Sequence, residues 1–163
     1  MLERFESTMG AMRTKLLKDE MLRKLLYHDS NNALQMLPPT EQEVQDYITL
    51  KPIFDFENKK NYDKNSSINI YMTSVDPQLD NVTADAIIQV NVVCNIDIWD
   101  LVNNKIRPVQ IANRIITLLN NQKFTASNSL VFNSLDNLIV SKHMVGYALL
   151  FELTDGSGIN NKF

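Results

Sequence analysis

From Ile88 the even positions read Ile88, Val90, Val92, Cys94, Ile96 and Ile98, with Gln89, Asn91, Asn95 and Asp97 between them and Val93 as the one apolar interruption. Strict period-two alternation predicts a strand with one buried face and one face that is wet or meets a partner. Burying its apolar row is worth on the order of 10 kcal/mol before entropy, at roughly 1.5–3 kcal/mol per large aliphatic side chain. A turn is expected over Asp100 to Lys105, around Asn103-Asn104. Arg107-Pro108 then opens a helix, with proline in the first turn where its missing N–H costs nothing. Ile111, Ala112, Ile115, Leu118 and Leu119 share one face of that helix.

Before this unit, Phe5, Met9, Met12, Leu16 and Leu17, continued by Met21, Leu22, Leu25 and Leu26, recur at helical spacing and predict one helix over Leu2 to Tyr27. Its polar face carries Arg13, Lys15, Lys18, Arg23 and Lys24, read as a solvated face with DNA or an acidic neighbour as the sharper alternative. Ala33 to Leu37 suggests one helical turn, stopped by Pro38-Pro39. Thr40 and Glu43 have capping-box spacing and predict a brief helix through Val44, Tyr47 and Ile48. Glu57 to Ser67 is polar and reads as a loop, and Ile68 to Thr73 alternates as a strand, with a turn at Asp76-Pro77. After the central helix, Leu130 to Phe132 and Leu138 to Lys142 read as short strands separated by a turn over Asn133 to Asn137. Val145 to Leu153 is the strong last strand, and the residues from Asp155 to Phe163 form a turn-rich tail.

This order predicts an α+β fold: an antiparallel or mixed sheet of four to five strands, packed by an N-terminal helix and a central helix. The 163 residues suit a single domain over 1–163, with a loop near 58–67 and a tail near 155–163. A net charge of −3 supplies no overall field toward nucleic acid or anionic lipid. Cys94 is the single cysteine, so an internal disulfide is excluded, and its place in the apolar row makes it a buried hydrophobe. No apolar run reaches the roughly 20 residues that span a bilayer, and the first residues lack the order of a signal peptide. A cytosolic product or a component of an assembled particle is expected.

Catalytic chemistry is hard to place. His28 and His143 lack metal-ligand spacing, no phosphate-cradling glycine loop occurs, and no serine sits in a nucleophile elbow. Asp97 and Asp100 beside Trp99 suggest a cation or sugar site, weighed against the plainer reading of strand-end solubility with Trp99 packed on the sheet. The Lys59-Lys60-Asn61-Tyr62 stretch could meet single-stranded nucleic acid, but Asp55, Glu57 and Asp63 dilute its charge. The uncharged amide row Gln89, Asn91, Asn95 fits a wet protein–protein contact. Candidate contact residues are therefore Lys59, Lys60, Tyr62, Gln89, Asn91, Asn95, Asp155 and Phe163, with no metal, cofactor or catalytic residue.

An ordered set of segments carries a family resemblance. These are Leu25-Leu26-Tyr27, Leu37-Pro38-Pro39, Lys51-Pro52-Ile53-Phe54, Ser67 to Met72, Ile96-Asp97-Ile98-Trp99, Ile106 to Ile111, and Gly146 to Phe151. In this order and spacing, from about Leu16 to Leu153, the chain resembles the head–tail connector and tail-terminator proteins of tailed bacteriophages. The resemblance implies a structural subunit of the virion, made in the bacterial cytoplasm and placed in the tail or neck. It would form a ring, often a hexamer, that ends the tail tube and docks the head connector. Its partners would be further copies of itself, the tail tube protein, a head-closure or connector protein and a tail sheath. DNA would pass through the lumen without specific binding, and no membrane, cofactor or enzymatic activity is implied. The alternative is a cytosolic ligand-binding or adaptor module, with a small apolar pocket between sheet and helices.

Overall fold

The computed structural model describes residues 2–52, 64–77, 84–124 and 128–155. It has the expected α+β architecture: a five-stranded mixed sheet with helices on one face. The strands are β1 (Ile48–Thr49), β2 (Ser66–Pro77), β3 (Ala84–Asn95), β6 (Asn128–Ile139) and β7 (Met144–Asp155), in spatial order β1-β2-β3-β7-β6. All neighbours are antiparallel except β1, which runs parallel to β2 at Ile48 and Thr49. A small hairpin of β4 (Asp100–Leu101) and β5 (Lys105–Ile106) leads into the helix α4 (Arg107–Leu119). Asn103 and Asn104 turn it with φ of 64° and 59°, the left-handed region that asparagine tolerates better than most residues.

The apolar row of β3 is buried as its alternation requires. Ile88, Val90, Val92 and Cys94 pack against Leu149, Phe151 and Leu153 of β7 and against Ile111, Ala112, Ile115 and Leu119 of α4. Phe5, Met12 and Leu16 of α1 (Leu2–Leu17) and Leu22, Leu25 and Leu26 of α2 (Glu20–Tyr27) complete the layer. Where one N-terminal helix was expected, there are two. Asp19 accepts a hydrogen bond from the Leu22 backbone N–H at 2.9 Å and caps a new helix. The capping box at Thr40 is formed: Thr40 Oγ1 accepts from the Glu43 N–H, and Glu43 Oε2 accepts from the Thr40 N–H at 2.7 Å. The helix it starts, α3 (Glu41–Val44), is followed by a 3-10 turn over Gln45–Tyr47, and Ile48 begins β1 instead of extending a helix.

Three further expectations are corrected. β2 runs through Asp76-Pro77, and Ser66-Ser67 belong to it, not to a loop. Ile96–Ile98 is a 3-10 turn capped by Asn95, so β3 stops three residues before its apolar alternation does. The segment from Asn128 to Ile139 is one twelve-residue strand, with its hairpin turn after Ile139 and not at Asn133 to Asn137. Register shifts at Thr73 in β2 and Asn133 in β6 explain why the second halves of these two strands were misread. A bulge inserts one residue, so the side chains facing the helices change from even to odd positions and the alternation looks broken.

Candidate interaction surface

The second face of the sheet carries no helix among the described residues. Three rows cross it: Ser67, Val93, Gly146, Leu138; then Asn69, Asn91, Ala148, Asp136; then Tyr71, Gln89, Leu150, Ser134. On β2 and β3 these rows are uncharged. Gln89 Nε2 donates to Asn91 Oδ1 at 2.7 Å, Asn91 Nδ2 reaches Tyr71 OH at 3.4 Å, and Asn69 Nδ2 donates to Thr49 Oγ1 at 2.9 Å. Asn91 is only 2% exposed, as deep as the core proper, and Asn69 is buried with its Oδ1 accepting nothing. A buried acceptor without a partner is uncommon in native structures and asks for an explanation. Val93, the exception in the alternation, has its own small cluster here with Val140, Met144 and Leu138, built by the turn end of the β6–β7 hairpin.

Of the expected contact residues, Gln89 and Asn91 are thus adjacent and hydrogen-bonded on this face. Asn95 serves the chain itself: its Oδ1 accepts from the Asp97 N–H at 3.0 Å, and its own N–H donates to Asn65 O at 2.7 Å. Asp155 ends β7 opposite Asn128. Lys59, Lys60, Tyr62 and Phe163 lie outside the described residues.

The chemistry considered for Trp99 resolves to packing. Its indole N–H donates to Cys94 O at 3.2 Å and its ring joins the main core, while Asp97 and Asp100 are exposed. Among the described residues, no three His, Cys, Asp or Glu side chains come together as a metal site. Cys94 is buried, and desolvation pushes its thiol up to about 11, away from nucleophilic use. No described helix is long and apolar enough to cross a membrane.

The basic face of the N-terminal helices is largely tied down within the chain. Arg13 donates to Ile48 O and Gln45 O, Arg23 to Pro39 O and Leu17 O, Lys15 to Gln122 Oε1, and Lys24 to Leu34 O. Arg114 donates twice to Asp19 Oδ2, at 2.6 and 3.0 Å, which raises the guanidinium above its usual range. An open cleft of about 610 Å³ lies here, lined by Lys18, Glu20, Lys24 and Lys105 among others. It is polar and sits on the helices, unlike the apolar pocket between sheet and helices that a ligand-binding module would use.

The residue that sequence reasoning passed over is Arg107. It is 0% exposed, and its guanidinium donates to the carbonyls of Ile98 (2.8 Å), Leu25 (2.6 Å), His28 (2.7 Å) and Ser30 (2.8 Å). Burial lowers its pKa, opposed by the negative charge of Asp29. A faint signal existed: a cation at the first position of a helix opposes that helix's dipole and needs a reason to be there.

The model of the YomW family matches residues 19–153, from the cap of α2 to two residues short of the end of β7. None of the curated proteins matches the sequence.

Proposed function

The chain belongs to the YomW family, which is phage-derived, and on that premise we infer that it is a structural subunit of a phage particle. Its place is a ring at the head-proximal end of the tail, where it ends the tail tube and joins the tail to the head connector. The observation that carries this is the face of β2 and β3. Amide side chains lie there as deep as a core, uncharged, with an unused acceptor at Asn69 Oδ1 and no helix of the described residues above them. Such a surface suits a partner that brings hydrogen bonds, because interfaces combine buried area with paired polar groups. Rings arise from head-to-tail contacts that close, so each subunit needs two unlike contact surfaces. The amide face is one, and the other elements of the body are free to supply the second. A subunit so placed performs no chemistry, and DNA crosses the lumen without being gripped.

Solution mass with negative-stain images, first alone and then with purified tail tubes and connectors, tests this. Rings, free or seated on tube ends, are expected. A protein that stays unassembled and ignores both tubes and connectors would overturn the assignment in favour of a ligand-binding or adaptor module. Gln89→Lys, which places a charge in the half-buried part of the amide row, is expected to abolish ring formation while leaving circular dichroism unchanged.

A further inference from the structure

The strand β6 forms one border of the sheet. Its inner half is covered: Leu130 N–H donates to Gln122 O at 3.0 Å, and Phe132 N–H donates to Asn120 Oδ1 at 2.8 Å. Beyond the bulge the border pairs with no described strand. Val140 N–H points at β7, where it donates to Met144 O at 3.0 Å. Backbone direction alternates along a strand, so the N–H and C=O groups of Leu135, Asn137 and Ile139 point away from β7. The same residues carry exposed apolar side chains: Leu135 is 42% and Ile139 72% exposed. Natural border strands are normally blunted by lysine, proline, a covering element or extreme shortness. This stretch, Leu135-Asp136-Asn137-Leu138-Ile139, has one charge, no lysine and no proline.

We propose that β6 pairs edge to edge with β6 of a second copy of this chain, antiparallel, about a two-fold axis through Asn137. The pattern is self-complementary there. Leu135 of each copy stands opposite Ile139 of the other, on the helix side of both sheets, and Asn137 faces Asn137. The three outward backbone positions of each strand then meet their counterparts as hydrogen-bonded pairs. Moving the axis to Asp136 would set two carboxylates directly opposite each other, and moving it to Leu138 would set Asn137 against Ile139. The Asn137 register sets the two exposed apolar side chains against each other and keeps the carboxylates apart, with each Asp136 opposite Leu138 on the other face. A two-fold contact uses the same patch on both copies and is closed after two. It leaves the amide face of β2 and β3 untouched, so it is independent of ring formation: it fits a pair held before assembly or two rings joined back to back.

Asn137→Cys tests the register. Cα atoms in a hydrogen-bonded pair lie about 5.5 Å apart, within disulfide reach, and Cys94 is buried and does not compete. Mild oxidation of the native variant is expected to give a covalent dimer in high yield, and the wild type none. Ile139→Lys is expected to weaken dimerisation by at least about tenfold in sedimentation, with an unchanged melting curve at dilutions where both proteins are monomeric, because the side chain is exposed there. A wild-type monomer at all concentrations would overturn the pairing. So would a dimer that Ile139→Lys leaves intact, or one in which Asn137→Cys does not cross-link. Because neither readout involves tails or rings, failure here is distinct from failure of the ring assignment.

Discussion

Arg107 stands at the first position of α4, where its charge opposes the helix's own dipole, and its guanidinium reaches across to the carbonyl end of α2 instead. The last carbonyls of a helix have no intrahelical partner, so Leu25 and His28 supply acceptors that Ser30 and Ile98 complete. Arg107→Met keeps much of the volume but leaves four carbonyls without their donor, that of Leu25 deep in the core. A loss of at least about 3 kcal/mol is expected, read from the urea midpoint. Arg107→Lys should fall between, since a single ammonium cannot span the fork. Glu43 is the second residue with a consequence. Its hydrogen bonds from the Thr40 backbone and hydroxyl hold its pKa below the usual 4.5. A carboxylate with a lowered folded pKa contributes fully above 4.5, and the contribution is lost as pH falls through the folded value. The melting-temperature gap between wild type and Glu43→Gln should therefore be constant from neutral pH to about pH 5 and close in more acidic solution. Thr40 and Glu43 were legible because the capping box is local. Arg107 was not, because three of its four acceptors come from residues 77 to 82 positions earlier in the chain.

Elements with unbroken alternation or helical spacing could be read directly: α4 and β7 stand where the pattern puts them, and β3 does so up to Asn95, where a 3-10 turn ends the strand inside the alternation. Those with a bulge could not, since the inserted Thr73 and Asn133 change which parity faces the core. β1 is two residues long, too short to carry a period, and the division between α1 and α2 depends on what Asp19 does in three dimensions. Gly146 gained its meaning only from packing. A Cβ there would lie 1.8 Å from the Val92 carbonyl oxygen and 3.3 Å from Val93 Cα, inside the ladder between β7 and β3. Gly146→Ala must push the two central strands apart. A cost at or above the upper end of about 1–3 kcal/mol is expected in denaturant unfolding, together with faster amide exchange at Val92 and Val93.

At the scale of the molecule, protection should follow strand position. β3 and β7, each twelve residues long, are paired on both sides along most of their length, and hydrogen exchange there should be slowest, near the global unfolding limit. Ile48 and Thr49, in a two-residue ladder, should exchange orders of magnitude sooner, as mass spectrometry or NMR would show. The one-sided layering itself followed from the sequence, because one row of β3 is apolar and the other is amide. How deeply the amide row is buried did not, since depth depends on the neighbouring strands and not on the residue's own type.

The placement of β7 has a consequence for how the protein is made. This strand is the last of the described elements, yet it lies between β3 and β6 in the middle of the sheet. During synthesis β2 and β3 leave the ribosome long before it, and β3 then offers a long bare border with the apolar row Ile88 to Cys94 uncovered on that side. Until residues 144–155 emerge, the nascent chain is a sticky intermediate, open to chaperones and to strand exchange with its neighbours on the same messenger. Premature termination anywhere before β7 would yield an aggregating fragment, not a smaller folded protein.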